Sequence, residues 1–270
     1  MGYGPLNSTR RQATLQRKRK EYLDWRTQTF GRGEDALDRQ LWHQIRIDVP
    51  RTQPGCAEFH EERLQRSLER VLYCWAARHP ASGYVQGIND LVTTFYRVFM
   101  QEGPSVDFEV VEADSFWCLT KLLDGIQDNY THAQPGIQRQ IVRMKELVAR
   151  IDRDLAAHLD AHGVEFIQFA FRWMNCLLMR ELSLDCVVRV WDTYLAEGGG
   201  AQGFSAFHTY VCAAFLLRWS RELRAMDFQE IMVFLQRPPT AAWTDRDVEL
   251  LLSEAYVIKC LYDGSPSHLR

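Results

Sequence analysis

The chain has 270 residues, with 32 lysines and arginines against 35 aspartates and glutamates, for a formal net charge of -3. That length suits one large domain with a sizeable core, and the near-balanced charge gives no overall basic field for nucleic acid. Hydrophobic residues at 46% and charged residues at 25% fit a globular protein, and the longest apolar runs fall short of the roughly 18 residues of a membrane span.

From the N-terminus, the first twenty residues carry Arg10, Arg11, Arg17, Lys18, Arg19 and Lys20 without an apolar segment, so no secretory signal is read there. Met1-Gly2 opens like a myristoylation site, yet Leu6 stands where Ser or Thr is needed. Residues 1–14 are expected to be flexible or partly ordered. The basic stretch 15–22, running on into Tyr22 and Trp25, reads as an exposed helical face.

Between 58 and 78, Leu64, Leu68, Val71, Leu72 and Trp75 recur at three- and four-residue spacing, with Arg66, Glu69 and Arg70 on the other face. This predicts an amphipathic helix ending near His79, because Pro80 disfavours helical geometry before it. Further helices are predicted at 88–101, 107–123 (stopping at Gly125), 138–149 and 150–161. The segment 164–180 is apolar on more than one face and reads as a single buried helix. Helices at 184–195, 204–220 and 226–236 follow. VVRVWDTY at 187–194 has strand propensity, but its helical neighbours decide for helix. A last helix, 246–262, is opened by Thr244 and Asp247 in a capping-box pattern. Gly198 to Gly200 reads as a loop. The predicted fold is all-α, one large multi-helix domain over 1–270.

Seven cysteines include no C-x-x-C pair, which points to free, buried thiols in a reducing, cytosolic setting. Several chemistries are excluded by motif. There is no phosphate-binding G-x-x-x-x-G-K-[ST] and no G-x-S-x-G elbow. His158 and His162 are four apart, but Leu159 stands where a zinc protease needs Glu, so two ordinary surface histidines are expected and no metal. Trp191-Asp192 reads as a buried aromatic beside a helix-end aspartate, and Trp117 and Trp173 also read as core.

Two segments stand out. In I-R-I-D-V-P-R, Ile45, Asp48 and Arg51 fall at a three-residue rhythm, and Pro50 places Arg51 in or just past a helix-ending bend. A fixed backbone there could project Arg51 into a partner's site at low entropic cost, but a merely solvated loop arginine is the plainer reading of the segment alone. In H-P-A-S-G-Y-V-Q-G-I-N-D, Pro80, Gly83 and Gly87 mark a bend between helices. Tyr84 and Gln86, two apart, would lie on one side of an extended stretch, and Ser82 or Asn89 could cap the next helix. An inter-helix turn with a polar tip fits this segment as well.

Together, IRIDVPR and SGYVQGIND resemble the two motifs, I-x-x-D-x-x-R and S-G-Y-x-Q-G-x-N-D, of the TBC-domain family of Rab GTPase-activating proteins. Arg51 and Gln86 stand 35 residues apart, in the family's order. The segments 112–137, 168–182 and 189–198 are similar to the Golgi-type subgroup that includes the family's human member 22. The family's upstream G-x-P and R-x-x-x-W motif is not found, so the first helix is expected to be truncated or missing.

The resemblance implies a GTPase activator, not an enzyme by itself. It implies Arg51 as an arginine finger and Gln86 as the group that orients the attacking water. Ile45, Asp48, Gly83, Tyr84, Gly87, Asn89 and Asp90 would support them or meet the GTPase, with Tyr84 packing beside Gln86 and touching the partner. GTP and Mg²⁺ would arrive with a GTP-bound Rab, so the chain would hold no cofactor of its own. Its setting would be cytoplasmic, peripheral at Golgi or other endomembranes, in vesicle trafficking. A catalytically silent Rab-binding scaffold or another helical interaction module remain alternatives.

Overall fold

A computed structural model describes residues 7–101, 103, 107–197 and 201–263. Among these residues there are thirteen α-helices and no strand. The expected glycine loop at 198–200 lies outside the described residues. The chain forms two compact units, Met1–Thr131 and His132–Arg270.

In the first unit, α1 runs over Ser8–Phe30, and Asn7 caps it by accepting from the Arg10 N–H. Residues 8–14, expected to be loose, are therefore helical. The basic stretch 15–22 is helical too, but not wholly exposed. Tyr22 is buried, and Arg19 makes a two-pronged pair with Asp114 at 2.8 and 2.6 Å. Next come α2 (Arg39–Asp48), a 3-10 turn over Val49–Arg51, another over Ala57–His60, α3 (Glu62–Arg78), α4 (Ile88–Met100) and α5 (Phe108–Gly125). Helix α3 packs on α1, α2, α4 and α5. It begins at Glu62 where 58 was predicted, because residues 57–60 take the tighter 3-10 form.

The polar face predicted for α3 is not simply solvated. Glu69 is buried against Arg46 and Arg66, and burial raises its pKa despite them. Arg70 turns inward to Glu112 of α5, a carboxylate without exposure. Glu112 accepts from Tyr22 Oη at 2.7 Å, Ser67 Oγ at 2.6 Å, Arg70 Nε and Nη2 at 3.1 and 2.5 Å, and Arg26 Nη1 at 3.2 Å. Tyr96 of α4 joins through the Ser67 hydroxyl at 2.6 Å. Burial alone would raise this carboxyl, but Arg70, then Ser67 and Tyr22, outweigh burial and hold it below its ordinary value. Glu112 and Ser67 together thus tie four helices.

The second unit comprises α6 (Pro135–Ile151), α7 (Arg153–Ala161), α8 (Ile167–Asn175), α9 (Leu184–Ala196), α10 (Ala201–Leu217), α11 (Ser220–Leu223), α12 (Phe228–Gln236) and α13 (Asp245–Tyr262). Helix α10 packs against α6, α8, α9 and α13. The Thr244–Asp247 capping box opens α13 as predicted. The break between α6 and α7 falls at Asp152, which caps α7 by accepting from the Leu155 N–H at 2.9 Å. The single helix predicted over 164–180 is not formed. Helix α8 ends at Asn175, and Leu177 and Leu178 take φ of 51° and 61°. That region disfavours leucine. It is held here by burial of both side chains, by Leu178 N–H donating to the Trp173 carbonyl at 3.1 Å, and by the Trp191 indole N–H reaching the Leu177 carbonyl at 3.4 Å. Trp173 and Trp191 are core, whereas Trp117 is half-buried, donating to the Lys18 carbonyl. Of the cysteines expected to be buried, Cys74, Cys176, Cys186 and Cys212 are; Cys56 and Cys118 are half-buried and Cys260 is exposed.

His208 is fully buried on α10, donating from Nε2 to the Trp173 carbonyl at 3.1 Å and accepting at Nδ1 from Tyr194 Oη at 2.9 Å. Burial pushes its pKa from 6.5 down to about 4.

Two outcomes are expected in urea unfolding. Glu112→Ala should cost about 3–5 kcal/mol, toward the lower figure because Arg26 and Arg70 keep some water. For His208, the folded form is neutral over a window where the unfolded chain binds a proton. Stability present above pH 6.5 is therefore lost as pH falls toward 4, by up to about 3 kcal/mol. His208→Gln, which can keep both hydrogen bonds, should lose that share of the acid slope; an unchanged slope would refute the assignment.

Candidate functional site

The site begins where α2 ends. Val49, Pro50 and Arg51 form one 3-10 turn, whose three-residue repeat puts positions 49 and 52 on one side. Val49 and Thr52 are both without exposure, and this inward row leaves Pro50 and Arg51 exposed. Ile45, also fully buried, anchors the preceding turn of α2. After Thr52 the chain bends at Gln53, with φ of 49°. Gln53 Nε2 donates to Thr93 Oγ1 on α4 at 3.2 Å, and Arg97 of the same helix pairs with Glu58 at 3.0 Å.

The second segment begins where α3 ends. His79 stacks on Trp75, with ring centroids 4.6 Å apart, and its Nδ1 lies 2.7 Å from the Trp75 carbonyl. The His79 carbonyl accepts from the N–H groups of Ser82 and Gly83. Gly83 supplies φ of 63°, and Gly87, immediately before α4, supplies 112°. Both values favour glycine, so these residues allow the chain to reverse in a short loop. A turn closed by Ile88 N–H on the Val85 carbonyl at 3.1 Å carries Gln86 outward, while Tyr84 points in and is 7% exposed. Tyr84 and Gln86 were expected on one side; the turn separates them. A direct contact from Tyr84 to a partner is likewise not what its burial favours.

Beneath the two exposed side chains lies a buried hydrogen-bond clasp. Tyr84 Oη donates to Asp48 Oδ2 at 2.9 Å and lies 3.2 Å from Asn89 Oδ1. Asn89 Oδ1 accepts from the Gly87 N–H at 2.9 Å, and Asn89 Nδ2 donates to Thr52 Oγ1 at 2.9 Å. Thr52 Oγ1 in turn donates to the Asp48 carbonyl at 3.0 Å. Asp48, Thr52, Tyr84 and Asn89 are all buried. Asp90, also buried, sits in the first turn of α4, where a carboxylate complements the helix dipole. Its carbonyl accepts from Thr93 Oγ1 at 2.6 Å. Ser82 or Asn89 was expected to cap α4, but its N-cap is Gly87, with no side-chain capping bond; Asn89 Oδ1 instead accepts from the N–H of Gly87 itself, and Ser82 Oγ is buried without a hydrogen-bond partner among the described residues.

The clasp therefore brings the Arg51 and Gln86 segments together, and both of those side chains are exposed. Thr52 was not singled out from sequence. The three-residue inward rhythm Val49–Thr52 was its only signal, and the motif ends one residue before it. Among the described residues no group of three or more His, Cys, Asp or Glu side chains could hold a metal ion. His158 and His162 lie with ring centroids 4.1 Å apart, each with a ring nitrogen beside a backbone carbonyl.

Residues 7–224 match the family described as the Rab-GTPase-TBC domain. The chain is 53% identical over its full length to the GTPase-activating protein gyp1 of Schizosaccharomyces pombe, covering 55% of that protein. It is 51% identical, again over its full length, to human TBC1 domain family member 22A, covering 54% of it. The chain thus spans about half the length of these curated relatives. Among solved structures, the crystal structure of the Ypt/Rab-GAP domain of Gyp1p matches with a TM-score of 0.90 at 52% identity, over 97% of this chain and 86% of that one. By the match to its sequence and by these relatives, the chain belongs to the Rab-GTPase-TBC domain family.

Proposed function

We propose that this chain is a GTPase-activating domain for a GTP-bound Rab-type small GTPase, acting in trans through Arg51 and Gln86. The observation that carries this reading is the buried clasp, which ties together two segments, distant in sequence, that each bear an exposed polar side chain. The names of the relatives, GTPase-activating protein gyp1 among them, support the same activity.

Hydrolysis of the bound nucleotide passes through a loose transition state with charge spread over the phosphoryl oxygens, so positioning and charge stabilisation supply most of the acceleration. Arg51 donates from its planar guanidinium to oxygens that gain charge as the bond to the leaving group breaks. Gln86 orients the attacking water through its amide. The nucleotide and Mg²⁺ come with the GTPase. Asp48, Tyr84, Asn89, Gly83 and Gly87 act from below, by fixing where the two backbones lie. Ile45 and Asp90 anchor the adjoining ends of α2 and α4.

We place this activity in the cytoplasm, peripherally at Golgi or other endomembranes, in vesicle trafficking. The likeness to the Golgi-type subgroup supports that setting. So does the lack, among the described residues, of a helix long and apolar enough to cross a membrane.

The test is GTP hydrolysis across a panel of Rab-type GTPases with catalytic amounts of the chain. Acceleration of at least one is expected. Arg51→Ala should lower the catalysed rate by about 10³-fold or more, and Arg51→Lys should recover little, because a point charge does not reproduce the planar fork. Gln86→Ala should cost about 10²–10³-fold, the effect of losing one preorganised hydrogen-bonding group. Full activity in Arg51→Ala would remove the finger role. Binding of a GTP-loaded Rab without any change in turnover would favour a scaffold.

A further inference from the structure

We propose that Thr52 is a positioning residue for the two-finger chemistry, its hydroxyl locking the Arg51 turn to the Gln86 loop. This rests on the reading of Arg51 and Gln86 as the acting groups. Thr52 is the chain neighbour of Arg51 and is fully buried, so its side chain is the inward counterpart of an outward guanidinium. Its hydroxyl acts as both donor and acceptor. It donates its proton to the Asp48 carbonyl, closing the 3-10 turn on the end of α2, and accepts from Asn89 Nδ2 across to the other segment. Asn89 then passes the constraint on, because its Oδ1 holds the Gly87 N–H, one residue from Gln86. The path from Arg51 to Gln86 is thus Thr52, Asn89, Gly87, all of it buried.

Donor directions make the path specific. Asn89 can serve Gly87 with its oxygen and Thr52 with its nitrogen in one amide orientation only. The threonine hydroxyl must then point its proton at Asp48. Rotation of either group breaks two bonds, so the clasp has one arrangement. A valine in place of Thr52 keeps the shape and removes both bonds. The Arg51 turn would then keep its backbone closure, the Thr52 N–H on the Val49 carbonyl at 3.1 Å, but lose the hydroxyl's tie to the Asp48 carbonyl, and Asn89 would keep Gly87 but lose the partner that joins its amide to the arginine segment. A misplacement on the order of 1 Å at reacting groups can cost about 100-fold in rate.

The experiment compares Thr52→Val, Thr52→Ser and wild type, as the full chain, by steady-state GTP hydrolysis with the Rab-type GTPase that responds best to wild type. It adds hydrogen exchange of the backbone amides of residues 84–88. Thr52→Val is expected to lower kcat about 10–100-fold with KM for the GTPase within about threefold. Thr52→Ser, which keeps the hydroxyl, should restore kcat to within about threefold of wild type. Exchange at 84–88 should quicken in Thr52→Val and not in Thr52→Ser. If Thr52→Val does not fold, Thr52→Ala serves instead, since the space it opens can admit a water for Asn89 while the lock is lost. Wild-type kcat in the valine or alanine variant, a loss confined to KM, failure of the serine rescue, or unaltered exchange at 84–88 would each overturn the proposal. If wild type activates no GTPase, the functional reading fails on its own, and the exchange comparison still decides whether Thr52 holds the loop.

Discussion

The carboxamide of Asn89 is held between the Gly87 N–H and the Thr52 hydroxyl, and the placement of the Arg51 segment against the Gln86 segment depends on that buried contact. Arginine and glutamine side chains lose considerable rotamer freedom when ordered. An exposed pair therefore cannot be fixed by its own contacts at small cost. What can be fixed in advance is the backbone from which each side chain starts. Here that is done by Asp48, Thr52, Tyr84 and Asn89, whose hydrogen bonds lie in the interior, where each counts for more than it would in water.

A clasp of this kind holds only if the helices that deliver its parts are themselves fixed. Helix α2 delivers Asp48, α3 ends at His79 where the glutamine loop starts, and α4 begins just after Gly87 and carries Asn89. The Glu112 cluster ties α3 and α4 to α1 and α5 through Ser67, Arg70, Tyr96, Tyr22 and Arg26. Replacing the whole cluster by hydrocarbon could be neutral for stability. A set of directional bonds, by contrast, admits fewer relative placements of four helices than apolar packing does, and the loop between α3 and α4 is short enough to inherit any shift of its ends.

The sequence was most legible where periodicity and punctuation agreed. Helices α3 and α4 are bounded by His79-Pro80 and by the Gly83–Gly87 bend, and α13 by its capping box, so their existence followed from local rules. Legibility failed where tertiary contacts override local preference. The stretch 164–180 is apolar nearly all round, with neither glycine nor proline to announce a stop. Its break at Leu177 and Leu178 is set by burial and by Trp191 and Trp173, which no local pattern encodes. Glu69 and Arg70 fit a solvated helix face on spacing alone. They turn inward because partners distant in sequence, Arg46 and Glu112, lie there. In the glutamine loop, alternation assumed an extended strand, but the turn at Val85–Ile88 rotates successive side chains out of that rhythm.

The site itself was legible as a list of residues and illegible as a division of labour. Of the positions in the two motifs, Arg51 and Gln86 face solvent, whereas Ile45, Asp48, Tyr84, Gly87, Asn89 and Asp90 are interior. A motif written as one string thus mixes two kinds of requirement. In the proposed function, the outward residues answer to the chemistry done on a partner. The inward ones are set by hydrogen-bond directions and by backbone angles such as that of Gly87, which would hold whether or not a partner ever bound. The boundary of a motif need not coincide with the boundary of the mechanism, and Thr52 illustrates why. It lies one residue past the arginine that ends the first string, it has no exposed atoms to offer a partner, and its hydroxyl joins the two strings into one object.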